Sequence, residues 1–232
     1  MAITRTTVTI VEKILEAPGV YTIRLKPTLK FDFKAGQFLM LAFLNDAKLT
    51  RSYSIASSPT RDLIDITFKV VGAFTSKLEA APVGTTLNCT GPLGHFTFDE
   101  NTDKNIVLIA GGVGVTPLRG MVQYVLDKKL DTNVTLLLSC QTSEVIPYKK
   151  ELLNLRDNAP KNIKIYITVT REDTNWNGPK GRLNADVLRS QIDNPSESKY
   201  FICGLNVMVD SLAAILTEMG ADKSKVKMEK WG

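Results

Sequence analysis

The sequence predicts two parts of different class: a six-stranded antiparallel β-barrel over residues 1–99 and a parallel α/β domain over residues 100–232. Three observations predict this. Short runs of alternating apolar and polar residues, punctuated by Gly and Pro, fill the first part. A polar, unpatterned stretch follows, Asp99-Glu100-Asn101-Thr102-Asp103-Lys104, and beyond it continuous apolar runs alternate with helical patterns. A length of 232 residues accommodates two modest domains.

In the first part the strands are expected at 6–15, 20–25, 37–44, 51–55, 64–71 and 85–89. Ala17-Pro18-Gly19, Lys34-Ala35-Gly36, Ser58-Pro59 and Pro82-Val83-Gly84 supply the turns between them. One short helix, 75–80, interrupts the series. In the second part, Ile106-Val107-Leu108-Ile109-Ala110 reads as a strand buried on both faces. A helix at 117–129, a strand at 134–138, a helix at 148–156 and a strand at 163–169 come next. Asn184 is suited to cap a helix running to 190. A strand at 200–202, a helix at 207–219 and a strand at 226–228 complete the alternation of a parallel sheet.

Composition narrows the function. The chain carries 29 Lys+Arg against 24 Asp+Glu, a net +5 that is spread rather than blocked, so nucleic-acid binding is not expected. A mildly basic surface suits an acidic protein partner. No run reaches the roughly 18 apolar residues of a membrane span, and the N-terminal residues show no apolar signal core, which points to the cytoplasm. Cys89, Cys140 and Cys203 form no C-x-x-C pair, and His95 is the one histidine. No metal or iron–sulfur centre is therefore expected, and the cysteines read as buried reduced thiols.

Five segments carry chemistry. Gly111-Gly112-Val113-Gly114-Val115-Thr116-Pro117 follows a buried strand and opens a helix, with Thr116 suited as N-cap and Pro117 as first helical residue. Such a helix start favours a phosphate, although a plain strand–helix turn would use the same glycines. The next strand ends on Ser139-Cys140-Gln141, without the acid that reads a ribose in a standard dinucleotide fold. Arg51-Ser52-Tyr53-Ser54 offers a phosphate fork, a stacking plane and small donors, or else simply an exposed strand face. Gly72-Ala73-Phe74-Thr75-Ser76 is a second helix start, Cys203-Gly204 ends a buried strand, and Glu229-Lys230-Trp231-Gly232 brings a Trp to the C-terminus.

In this order, over nearly the whole chain, these segments resemble the ferredoxin–NADP reductase family. Arg51-x-Tyr53-Ser54 is similar to its flavin-binding R-x-Y-S, and Gly91-Pro92-Leu93-Gly94-His95-Phe96 to its G-P-x-G-x-F. Gly112-Val113-Gly114-Val115-Thr116-Pro117 resembles its G-x-G-x-T-P, and Cys203-Gly204-Leu205-Asn206-Val207-Met208 its C-G-x-x-x-M. The resemblance implies FAD in the barrel and NAD(P)H in a Rossmann-like second domain. It implies that Arg51 and Ser52 meet the flavin diphosphate region, Tyr53 packs on the isoalloxazine and Ser54 lies near its reacting nitrogen. Thr67, Phe68 and Lys69 would run along the flavin, and Phe74, Thr75 and Ser76 would hold the pyrophosphate. Gly112, Gly114, Val115, Thr116 and Pro117 would line the nicotinamide nucleotide, with Gly204 and Met208 beside it. Cys203 and Glu229 would flank the reacting nicotinamide, and Trp231 would cover the flavin's other face. Gly232 departs from relatives that end on the aromatic.

The function so implied is hydride transfer between NAD(P)H and FAD, and single-electron transfer to a separate redox protein such as a ferredoxin. A reductase component of an oxygenase, or an electron-transfer subunit of a larger complex, would use the same chemistry. FMN remains an alternative flavin. Thr170, Arg171 and Arg182 favour NADPH over NADH, while Gln141 and Trp176-x-Gly178-x-x-Gly181 argue the other way. Pairing of Arg171 with Glu172 or Asp173 is the competing reading of that cation.

Overall fold

The computed structural model describes residues 3–231. Two compact units emerge: residues up to Thr97 together with Arg119–Lys129, and Phe98–Leu118 together with the residues from Leu130 onward.

The first unit contains β1 (Thr4–Ala17), β2 (Val20–Pro27), β3 (Phe38–Phe43), β4 (Asp46–Ser54), β5 (Ile64–Lys69), α1 (Ala73–Ala80) and β6 (Thr86–Leu93). The strands are antiparallel in the order β4-β3-β6-β1-β2-β5. An Ile55↔Ile66 bridge joins the two outer strands and closes the barrel. Inward positions carry the core, including Val8, Ile10, Ile23, Leu25, Leu39, Leu41, Ile66 and Leu87, all fully buried. Alternation in β1 and β2 places those side chains on one face, and burying each stabilises the barrel by about 1.5–3 kcal/mol.

Several boundaries differ from the sequence expectation: β1 runs two residues further at each end and β2 two residues further at its C-terminal end, and three others have a visible cause. β4 begins at Asp46, five residues early, because β3 and β4 form a tight hairpin with Phe43 opposite Asp46. Its two-residue turn, Leu44-Asn45, lacks Gly and Pro and is marked only by Asn45. β6 continues through Gly91 and Leu93, which pair with Thr4 and Phe38. α1 starts at Ala73, ahead of Thr75, because the Thr75 hydroxyl reaches back to accept from the N–H of Val71 and Gly72, each at 3.0 Å.

The second unit contains β7 (Asn105–Gly111), β8 (Asn133–Cys140), α3 (Lys149–Asn158), β9 (Ile163–Val169), α4 (Ala185–Gln191), β10 (Lys199–Leu205), α5 (Asn206–Glu218) and β11 (Val226–Trp231). The five strands are parallel, ordered β11-β10-β7-β8-β9. Leu188 of α4 and Val209, Leu212 and Leu216 of α5 pack on Val107, Ile109, Tyr200 and Ile202 to build one face of its core. Asn184 Oδ1 accepts from the Val187 N–H at 2.9 Å, the expected cap of α4.

Helix α2 (Val115–Lys128) begins two residues earlier than expected. A single 3-10 turn, Gly112–Gly114, runs straight into it, so Thr116 is an early helical residue and not the N-cap. Its hydroxyl donates to the Val113 carbonyl at 2.6 Å. Pro117 then falls third in the helix, where its missing N–H costs no intrahelical bond.

Candidate active site

In the barrel unit, the last four positions of β4 are Arg51, Ser52, Tyr53 and Ser54. The Tyr53 ring lies 5.9 Å from Phe74 of α1 and 6.2 Å from Phe68 of β5. These contacts gather the end of β4, the middle of β5 and the start of α1 around one ring. Burial pushes the Tyr53 hydroxyl up to about 12, so it is a neutral phenol at working pH. Arg51 is exposed, its Nη1 donates to the Thr50 carbonyl at 2.9 Å, and among the described residues no acid pairs with it. The Ser52, Ser54 and Ser76 hydroxyls have no protein hydrogen-bond partner among the described residues.

At α1, the Thr75 hydroxyl is engaged with the backbone of 71–72 and Phe74 is core, so backbone and Ser76 are what this helix start presents outward. Its first N–H groups have no intrahelical acceptor. A Cβ at Gly72 would meet nothing within 4 Å. Thr67 is buried and hydrogen bonded to Thr22 at 2.6 Å, Phe68 is buried, and Lys69 is exposed. An unpaired guanidinium, an open helix start, free serine hydroxyls and an aromatic plane are the donor set of a diphosphate joined to a flat ring. The residues present fit FAD.

In the second unit, β8 lies on one side of β7 and β10 on the other, so the strand order reverses at β7. Ligands of open parallel sheets bind at such a reversal, at the carboxyl ends of the strands. The Gly112–Pro117 segment leaves β7 there. Gly112 holds φ +52° with open space where a Cβ would stand. Gly114 lies against β10 so closely that a Cβ would stand 2.3 Å from the Cys203 carbonyl. Met208 seals the opposite side, its thioether filling the space that side chains at Gly111 and Gly204 would take. This cradle, with the start of α2, fits the phosphates of a nicotinamide nucleotide.

Cys203 and Glu229 are neighbours across β10 and β11, and Trp231 follows on the same face, opposite Leu205. Burial pushes the Cys203 thiol up to about 12, with the Glu229 charge adding to it and the Trp231 side-chain hydrogen bond opposing it. Cys203 is therefore a neutral thiol. Burial also raises Glu229, to about 7, which places it between its two protonation states at neutral pH. Trp231 is 40% exposed on the edge strand and is not seated in an apolar pocket of its own unit.

Thr170, Arg171 and Arg182 lie together at the β9 end of the sheet. Gly181 N–H donates to the Val169 carbonyl at 2.8 Å, so the segment carrying Arg182 returns beside the one carrying Arg171. Both arginines are exposed, and neither side chain forms an ion pair or hydrogen bond among the described residues. The alternative of an Arg171 pair with Glu172 or Asp173 is thus not realised. Asp173 instead accepts from the N–H of Ser143 at 2.6 Å and of Asn175 at 2.9 Å, and the Ser143 bond holds its carboxyl below the usual carboxylate range. Sequence reasoning missed this clamp between the loops after β8 and β9, since partners 30 residues apart leave no local pattern. It also missed the buried Arg119 and Asp65 of the barrel unit. All three cysteines are buried and free, and among the described residues no cluster could hold a metal.

Comparison with known proteins agrees with both halves. Residues 6–98 match the oxidoreductase FAD-binding domain and residues 108–214 the oxidoreductase NAD-binding domain. Ferredoxin–NADP reductase B of Sorangium cellulosum is 32% identical over 212 residues, covering 87% of this chain and 86% of that protein. The glycine betaine monooxygenase reductase subunit of Chromohalobacter salexigens is 30% identical and covers 89% of this chain, which spans 58% of that longer protein. A Neisseria gonorrhoeae ferredoxin–NADP+ reductase, solved with FAD and NADP bound, shares the fold at a TM-score of 0.84 and 21% identity, over 97% of this chain and 98% of that one. A diphosphate-and-ring cradle in the barrel, a nucleotide turn at the sheet's reversal and this likeness lead to one conclusion: the chain belongs to the ferredoxin–NADP reductase family and is an NAD(P)H-dependent flavoprotein oxidoreductase.

Proposed function

We propose that this chain passes electrons from NADPH, through FAD, to a separate acidic redox protein of the ferredoxin kind. The observation that carries the reading is the convergence of Cys203, Glu229 and Trp231 beside the Gly112–Gly114 turn. FAD, when bound, takes up a hydride and releases electrons one at a time. The chain's own groups bind, orient and hold protons. In this reading Arg51, Ser52, Ser76 and the first turn of α1, with Phe74 and Thr75 shaping it, hold the diphosphate. Tyr53, Thr67, Phe68 and Lys69 flank the ring, and Ser54 offers a hydroxyl donor to it. Gly112, Gly114, Val115, Thr116, Pro117, Gly204 and Met208 shape the nucleotide cradle. Cys203 contacts the nicotinamide as an uncharged thiol, Glu229 holds a proton at its carboxyl, and Trp231 covers the exposed side.

The lean to NADPH rests on Arg171 and Arg182, two unpaired cations suited to a further phosphate, with Thr170 beside them. We take residues 1–99 as the flavin part and 100–232 as the nucleotide part. A cytoplasmic location is consistent with three free buried thiols, and among the described residues no helix is long and apolar enough to cross a membrane. Service to an oxygenase is the second reading, favoured by the likeness to the monooxygenase reductase subunit, and it differs only in the acceptor. Anaerobic titration of the purified yellow protein tests the proposal. Bleaching at micromolar NADPH and sluggish reduction by NADH is the expected result. Preference for NADH would overturn the role of Arg171 and Arg182, and a protein that stays colourless with added FAD would overturn the whole reading.

A further inference from the structure

Residues 170–184 join β9 to α4 within the second unit. A connection of that length, without a helix or strand of its own, is uncommon in a compact domain and is usually functional. This one is built around two inward side chains. Trp176 is 5% exposed, and its Nε1 donates to the Pro179 carbonyl at 2.8 Å. Gly178 lies against the same ring, where a Cβ would stand 2.5 Å from Cζ2. Asp173 is 9% exposed. Its two carboxylate oxygens accept one N–H each, from Ser143 at 2.6 Å and from Asn175 at 2.9 Å. Ser143 is fully buried and opens the 3-10 turn that follows β8.

Arg171 stands between these fastenings. The β8–β9 ladder runs on past the end of β9: Thr170 N–H donates to the Cys140 carbonyl and Arg171 N–H to the Gln141 carbonyl, each at 2.9 Å. Two residues later the Asp173 carboxylate takes over from the backbone and carries the connection on to Ser143. On the return, the Thr168 hydroxyl donates to the Gly181 carbonyl at 2.8 Å, next to Arg182. The backbone under both cations is thus tied down, while the cations themselves stay exposed. Charge-assisted bonds from backbone N–H to carboxylate are short and strong, so Asp173 is the firmest of these ties. It is also an awkward residue for this place, because an acid so near a phosphate site repels the phosphate. The Ser143 N–H does most, and Lys149 least, to hold its carboxyl below the usual range, so it is ionised at neutral pH. Among the described residues it forms no ion pair.

We propose that Asp173 is a positioning residue for nucleotide choice: it fixes the Thr170-Arg171 backbone so that the Arg171 guanidinium is presented to a ribose phosphate. A nucleotide carrying that phosphate is then preferred to one without it. Asp173 does not touch the nucleotide and acts through Arg171. The inference rests on the reading that Arg171 and Arg182 receive the additional phosphate of NADPH. Position and charge have opposite signs at this residue. If only its charge mattered, removing Asp173 would tighten binding of the phosphorylated nucleotide. If its position matters, removing it weakens that binding in spite of the lost repulsion.

The test is calorimetric titration of the FAD-loaded protein with NADP+ and, separately, with NAD+. The proteins compared are the wild type, Asp173→Asn, Asp173→Ala, Arg171→Gln and the double variant Arg171→Gln/Asp173→Asn. Asparagine keeps the size of Asp173 and one acceptor oxygen, so the fold is expected to survive. Alanine orphans the buried Ser143 N–H, and if that variant does not fold the asparagine variant decides. Asp173→Asn is expected to weaken NADP+ binding at least about fivefold and NAD+ binding less than about twofold, with a larger NADP+ loss in Asp173→Ala. Arg171→Gln weakens NADP+ at least about tenfold, and adding Asp173→Asn to it costs less than a further twofold or so, because the group it positions is already gone. Equal losses for both nucleotides in Asp173→Asn would mean that Asp173 only supports the fold, and tighter NADP+ binding would mean that it acts by charge; either overturns the proposal. Additive losses in the double variant overturn it as well. A wild type that does not prefer NADP+ to NAD+ overturns the NADPH reading and the inference with it. A wild type that prefers NADP+, beside an Asp173→Asn variant that keeps the same preference, overturns the inference alone.

Discussion

Glu229 is a residue whose environment conflicts with its charge. Burial in β11 beside Cys203 raises its carboxyl from an ordinary 4.5 to about 7. Between those two values the folded chain keeps a proton that the unfolded chain has released. Stability from this group is therefore fully present below pH 4.5 and is lost as pH rises through 7. Glu229→Gln is neutral throughout and removes that loss. Relative to it, the wild type should match at pH 4.5 and be less stable at pH 8, by on the order of 1 kcal/mol once partial exposure is allowed for. Urea midpoints of the two proteins across this range measure the difference, and parallel profiles would show that Glu229 titrates normally. The same raised value leaves a proton on a fraction of the molecules near neutrality, which suits the proton-holding role proposed for it.

Among the elements, the strand-to-helix turn after β7 distinguishes two uses of glycine. Gly114 has no room for a side chain, because its missing Cβ points at the backbone carbonyl of Cys203 at 2.3 Å. Gly112 has room but holds a left-handed φ of +52°. Gly114→Ala must push β10 and the turn apart, at a cost of about 1–3 kcal/mol, and should weaken nucleotide binding at least tenfold while FAD stays bound. Gly112→Ala should cost only about 1 kcal/mol, the ordinary strain of a left-handed alanine. Thermal unfolding and nucleotide titration of both variants check the contrast, and equal penalties would mean that the turn is not packed against Cys203. Elements of this kind were legible in the sequence because their period is local. The runs at 106–110 and 163–169 gave buried strands, and Asn184 gave the start of α4. Several ends were not legible, and three of them have a plain physical reason. The β3–β4 hairpin turns without Gly or Pro, β6 passes through Gly91-Pro92 because Thr4 and Phe38 pair there, and α2 starts at Val115 because a 3-10 turn feeds it. The Arg119–Asp65 pair left no trace at all. Its members are 54 residues apart, and an arginine on a helix reads as solvent-facing until the fold buries it.

For the molecule as a whole, the net charge of +5 bears on which acceptor it meets. Charge of this size does not set the fold, but it does set encounter rates. An acidic ferredoxin would be attracted over distances comparable with the Debye length, about 10 Å at 0.1 M salt and about 3 Å at 1 M. Added salt should therefore slow its reduction by roughly tenfold or more between about 0.01 and 0.5 M. A neutral quinone takes electrons from the same flavin without steering, so its rate should stay nearly flat over the same range. Comparing the two acceptors in one salt series separates the encounter from the chemistry, because binding of NADPH, itself an anion, affects both equally when nucleotide is saturating. A ferredoxin rate as flat as the quinone rate would remove the acidic acceptor from the proposal and leave the flavin and nucleotide sites untouched. A steep fall confined to ferredoxin would locate the partner's recognition in the basic surface, and lysine-to-glutamine variants of that surface would then map where it docks.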